Sequence, residues 1–239
     1  VYSSLVRLSI LKWTGAVFFI GLIQSSDARE EQDHGLWFER WLCDTFFDAY
    51  RPAQNTQKWD VPAHANTRHG NLHVNPKAVR LGSPVGLGDA LRQMDIANGA
   101  DSFILIAGFW QQSSPGTKSW VNVQAVTVSP ATWKKLWYPV TRTDLERFVA
   151  VIKDTTLTLN ECRRRAQEIK SQPPFTKAIL QVNPKIDSSQ RRLQCSLSFN
   201  SFFDQLLPGA SRAAQQNPVL WGVPIPKTTH STSRSFGKE

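Results

Sequence analysis

Lys58 to Trp110 reads KWDVPAHANTRHGNLHVNPKAVRLGSPVGLGDALRQMDIANGADSFILIAGFW, and its short apolar runs set between turn residues decide the fold class. Gln57 to Ala63, centred on Trp59-Asp60-Val61, reads as a short strand. His64 to Asn71 is polar and carries Gly70, which predicts a hairpin or loop. Leu72 to Val79 reads as a second strand, and Leu81-Gly82-Ser83-Pro84 as a turn. Gly88 to Ala97 is a predicted helix that turns Leu91, Met94 and Ile96 inward and leaves Arg92 and Gln93 more exposed. Asp101 to Trp110 carries the run FILIAGFW, the pattern of a strand buried on both faces.

Upstream, Gly35 to Tyr50 has helical periodicity, with Leu36, Phe38, Trp41, Leu42, Phe46 and Tyr50 mostly on one broad face; Arg51-Pro52 ends it. Downstream, Trp120 to Val128 alternates as a strand does. Ser129-Pro130 opens a short helix bearing Trp133, Leu136 and Trp137. Helices follow over Asp144 to Lys153 and Asn160 to Ser171, the second capped by Asn160. Pro173-Pro174 breaks the chain. Ala178 to Val182 and Arg192 to Phe199 read as strands joined by residues 183–191. From Gly222 onward Pro, Ser, Thr and charge predict a flexible tail, 222–239. The order of elements describes an α/β domain with a mixed sheet.

A chain of 239 residues with 41% hydrophobic and 20% charged residues buries a core and is not a disordered chain. The nine tryptophans supply large apolar anchors. Net charge is +9 and the pI is about 9.7, which suits a polyanionic partner or, more plainly, a solvated basic surface. Cys43, Cys162 and Cys195 cannot all pair with one another and show no zinc-type spacing. They read as small apolar residues of a reducing compartment. The N-terminal stretch points elsewhere. Arg7 and Lys12 precede an apolar run from Trp13 to Ile23, then Gln24 to Ala28, as in a secretory signal. The rival readings are a misassigned start and an N-terminal core helix. The run is short for a bilayer, so no stable membrane insertion is expected of the mature chain.

Asp60 and Lys77 fall on successive expected strands. Phosphodiester hydrolysis needs a carboxylate to hold a divalent cation and a nearby lysine to orient water and the scissile phosphate. Adjacent strands deliver both groups to one end of a sheet. Each residue also has a plain reading: Asp60 as a turn or capping acid, Lys77 as a solvated surface lysine.

The ordered segments KWDVPA, LHVNPK, GSPVGLGDALRQ and FILIAGFW resemble the core of PD-(D/E)xK nucleases, in the form found in type II restriction endonucleases. NPKIDSSQRRLQCSL, from Asn183 to Leu197, resembles a further segment of such enzymes. The resemblance covers most of Gly35 to Phe203. It implies a restriction-endonuclease-like mixed sheet flanked by helices over residues 29–221, with a DNA-reading segment at 178–200. It further implies site-specific cleavage of double-stranded DNA with Mg2+, a homodimer, and a cytoplasmic location. If residues 1–28 are a signal, the chain is exported instead, with an unknown role.

The sequence departs from the family pattern at Asn75, where the family has Asp or Glu two residues before the lysine. An amide oxygen ligates a cation without charge. Pro76 is unusual for a central strand. The resemblance assigns catalysis to Asp60, Lys77, Glu39 and Asn75, and metal ligation to Asp60, Asn75, Glu39 and Asp89, since some relatives move the acid to the following helix. Asp95 lies further along that helix. The competing reading of Asn75 is an inactive DNA-binding relative; of Glu39, a helix salt bridge; of Asp89, a helix cap. For DNA, Arg pairs with guanine and Gln with adenine, which singles out Gln190, Arg191, Arg192 and Gln194. Lys185, Arg92 and Arg163 to Arg165 are candidate phosphate contacts. The bland alternative is a solvated charged face. Alternation places Arg192, Gln194, Ser196 and Ser198 on one face and Leu193, Cys195, Leu197 and Phe199 on the other.

Overall fold

The computed structural model describes residues 35–52, 58–114 and 117–230. The signal-like stretch 1–28 and residues 231–239 lie outside them. Helix α1 spans residues 35–46 and buries Phe38, Leu42 and Phe46. The strand expected around Asp60 is reduced to a single antiparallel bridge between Val61 and Val74. Pro62, which has no N–H to donate, and a 3-10 turn over Ala63–Ala65 stop it there. Strand β1 is His73–Arg80, and β2 is Val85–Asp89. β2 begins just after the expected turn and takes Gly88 and Asp89 from the start of the expected helix. Its two glycines, Gly86 and Gly88, lower strand propensity and hide it in the sequence. Helix α2 (Ala90–Ala97) follows, then the long hairpin β3 (Phe103–Ser114) and β4 (Thr117–Val128).

Helices α3 (Pro130–Trp137), α4 (Arg142–Lys153) and α5 (Leu159–Lys170) follow. The cap of α5 is Thr158 rather than Asn160, its side chain accepting the Glu161 N–H at 3.2 Å. Strands β5 (Gln181–Ile186) and β6 (Arg191–Leu197) precede α6 (Phe199–Leu206). Phe199 therefore opens a helix instead of ending a strand. The chain expected as a tail is folded as far as His230. Val219–Leu220 (β7) pairs with Val223–Pro224 (β8), and Thr228–His230 (β9) joins β4.

The main sheet has the order β1-β3-β4-β9 and is mixed: β1 and β3 run parallel through the α2 crossover, and the other pairs are antiparallel. A second, antiparallel sheet has the order β2-β6-β5. Buried side chains divide by face of the main sheet. Leu105, Ala107 and Phe109 of β3 pack with α2 to α6 and the small sheet. Ile104, Ile106 and Trp110 pack with Phe38, Leu42 and Phe46 of α1. The architecture is thus mixed α/β, with a central mixed sheet between helices.

Gly108 sets how closely α1 approaches. A Cβ there would stand 2.6 Å from the Phe38 ring and 2.8 Å from Trp120. Those rings stack over the glycine at 4.8 Å, which seats the first helix against the sheet. All three cysteines are free and buried. Among the described residues, no helix is long and apolar enough to cross a membrane.

Candidate active site

Asp60 is fixed by its neighbours on both sides. Trp59 is buried and stacks on His73 at 4.7 Å. Val61 exchanges two backbone hydrogen bonds with Val74, and the Ala63 N–H donates to His73 Nδ1 at 3.1 Å. With Trp59 and Val61 both anchored to β1, the half-buried carboxyl between them is held beside that strand.

Lys77 extends from β1 to meet it. Its Nζ lies 3.5 Å from Asp60 Oδ2 and donates to the Pro76 carbonyl at 2.8 Å and to Asn75 Oδ1. Pro76 is well placed after all. Val74 turns both its backbone groups outward to Val61, so two residues on the Pro76 nitrogen also faces the open edge of the sheet. No ladder hydrogen bond to β3 is lost there.

Glu39 reaches the same place from α1. With Asp60 and Pro76 it lines a cleft of about 180 Å³, and it has no hydrogen-bond partner among the described residues. Burial pushes its pKa from 4.5 up to about 7; the Asp60 charge pushes the same way, and Lys77 opposes both. The remaining walls of the cleft are mainly apolar, from Leu36, Cys43, Tyr50 and Val61, with Arg40 at its margin. Burial pushes the Cys43 thiol up to about 11, so this residue is no nucleophile at neutral pH. Arg40 escaped the sequence reading, and Tyr50 entered it only as part of the apolar face of the first helix. Arg40 adjoins Glu39 in the chain, but helical periodicity alone does not place it beside Asp60.

The structure therefore joins Asp60 and Asn75 through Lys77, and sets Glu39 with Asp60 on the wall of one cleft. Asp89 stands apart from that cleft. It caps α2, accepting the Arg92 N–H at 2.9 Å, and its charge is felt at Cys195, as is that of Lys77. Asp95 pairs with Arg142. Among the described residues, no group of three or more His, Cys, Asp and Glu side chains is arranged to hold a metal. The oxygens available beside Asp60 are those of two carboxylates, one amide and one backbone carbonyl. That is a hard-donor set of the kind Mg2+ takes with water completing its shell.

The expected DNA contacts separate into two groups. Arg191 is committed to the fold: Nη1 donates to the Asp154 carbonyl and Nη2 to the Leu157 carbonyl at 3.2 Å. Gln190 is tied to Asp187 at 2.9 Å. Arg163 donates to the Ile186 carbonyl at 3.0 Å, while Arg164 and Arg165 pair with Glu161. Lys185 and Arg192 are exposed and Gln194 half-buried, all without a partner among the described residues. Arg92 is exposed on α2. As the alternation requires, Leu193, Cys195 and Leu197 are buried, but Ser196 is buried too, accepting from Asn183 at 2.8 Å.

Comparison with protein-family models, curated proteins and solved structures finds no match for the chain.

Proposed function

We propose that the chain is a metal-dependent endonuclease of the PD-(D/E)xK type that hydrolyses phosphodiester bonds of double-stranded DNA at specific sites. The observation that carries this reading is the Asp60–Lys77–Asn75 cluster at the open edge of the main sheet, with Glu39 sharing a cleft wall with Asp60. These residues come from a helix, a bridged loop and a strand, and nothing in core packing requires them to converge.

Asp60 and Glu39 supply carboxylate oxygens for Mg2+, with Asn75 Oδ1 as a neutral third ligand. When bound, the ion lowers the pKa of a coordinated water and offsets charge developing on the phosphorus. The unpartnered, half-buried Glu39 carboxyl suits this role, because a cation offsets the burial that holds its pKa high. Lys77, steered by Asp60 and the Pro76 carbonyl, binds a non-bridging phosphate oxygen and orients the attacking water. Arg40, at the edge of the cleft, is placed to contact a flanking phosphate.

A second reading has one specific observation in its favour: Asn75 carries no charge, which leaves two acids at the site. On that reading the protein binds DNA and does not cut it. Digestion of plasmid DNA of known sequence with Mg2+, followed by mapping of the ends, separates the two. Discrete fragments that vanish with EDTA are expected. A smear, metal-independent cutting, or binding without cleavage under every divalent metal contradicts the nuclease reading.

A further inference from the structure

The second sheet carries a groove of its own. About 450 Å³ in volume, it lies over the polar face of β2-β6-β5, bordered by Gly86, Asn183, Lys185, Gln194 and Ser196. Antiparallel register puts directly opposed side chains on one face. The rungs here are Gln181 with Ser196, Asn183 with Gln194, and Lys185 with Arg192.

That last rung opposes two cations. Like charges directly across a strand pair repel. Neither has an acidic partner among the described residues. An anion placed between them relieves the repulsion. One rung away, the Gln194 side-chain amide is half-buried and unpartnered, a donor and an acceptor held side by side. Lys170 steadies its neighbour Asn183, donating to Oδ1 at 3.3 Å. Asp89, opposite Gln194, is occupied as the cap of α2.

Gly86 is the telling position. Its backbone has no positive φ, and a Cβ there meets nothing within 4 Å. Neither conformation nor packing calls for glycine, yet any side chain at this site enters the groove. Gly88, on the other side of the bulge that both glycines flank, has φ +87, which explains it locally.

We infer that this face receives duplex DNA, with Lys185 and Arg192 straddling a backbone phosphate and Gln194 reading a base edge beside it. The choice of duplex DNA rests on the nuclease reading; the groove and its chemistry do not.

The test is fluorescence anisotropy of labelled duplex DNA with the full chain in Ca2+, across a salt series. Lys185→Ala with Arg192→Ala is expected to weaken binding about tenfold or more and to lower the log–log salt slope by about 2. Gly86→Phe is expected to abolish binding while leaving the thermal midpoint unchanged. Gln194→Ala is expected to change sequence preference and not the salt slope.

If Gly86→Phe and the double variant bind and cut like the parent, the groove proposal is wrong and the nuclease reading stands. If both lose binding in a chain that never cuts, the groove stands and the nuclease reading fails. Competition by polyglutamate as strong as that by DNA overturns the proposal in favour of an acidic protein partner.

Discussion

The Lys77 ammonium stands 3.5 Å from the Asp60 carboxylate, and the same ammonium is hydrogen-bonded to Asn75 two residues earlier on its own strand. Its three N–H donors are thus shared among a carboxylate, an amide and a backbone carbonyl. The arrangement gathers oxygen atoms around one positive charge, beside a cleft that Asp60 and Glu39 both line.

Asn75 is the weak member of that set. Its Oδ1 already accepts from Lys77, so a carboxylate in its place keeps the hydrogen bond and adds charge for a cation. Asn75→Asp is expected to raise Mg2+ affinity about tenfold, read as a larger Mg2+-induced rise in thermal midpoint, and to speed cleavage. An unchanged or smaller Mg2+ response argues against Asn75 as a ligand.

Glu39 links stability to pH. Its folded value, about 7, lies above the ordinary 4.5, so folding takes up a proton between those values. Stability therefore falls as pH rises through that window, and the penalty is fully present above about 7. Allowing for solvent at the cleft, it amounts to roughly 2 kcal/mol. Glu39→Gln is expected to match the parent near pH 4.5 and exceed it by that amount at pH 8, in denaturant titrations. Parallel pH curves for the two proteins contradict this.

Gly108 holds α1, and with it Glu39, against the sheet. Gly108→Ala forces a methyl group onto Phe38 and Trp120 and is expected to cost about 1–3 kcal/mol. Calorimetry checks the loss. An alanine variant with the parent's midpoint means that the two rings move aside easily.

Two adjacent arginines give a direct contrast. Arg191→Ala removes the donors that hold the Asp154 and Leu157 carbonyls between α4 and α5, and is expected to cost about 1–3 kcal/mol. Arg192→Ala is expected to stay within about 0.5 kcal/mol, since its side chain is exposed and unpartnered. Chemical denaturation of both variants decides it.

Apolar runs and turn residues made most of the elements legible in the sequence: α1, β1, the β3–β4 hairpin and helices α3 to α5 stand close to where periodicity placed them, while α6 was not foreseen. β2 was hidden by Gly86 and Gly88, because its pairing with β6 comes from a partner over a hundred residues away. Thr158 had a readable signal, since Glu161 three residues later completes the S/T-x-x-E pattern of a helix start. The pairing of Asp60 with Lys77 followed from expecting neighbouring strands, although only one bridged residue of the first strand forms. The commitment of Arg191 to carbonyls more than thirty residues away leaves no local trace, so an arginine that builds the fold and one that faces solvent look alike in the chain.

Single-turnover cleavage of a mapped DNA site in Mg2+ tests the catalytic reading most directly, with the parent chain beside Asp60→Asn and Lys77→Ala. Each substitution is expected to slow cutting by about a thousandfold while shifting stability by less than about 1 kcal/mol, as for a partly exposed ion pair. Cutting by either variant at the parental rate would place the chemistry elsewhere on the molecule.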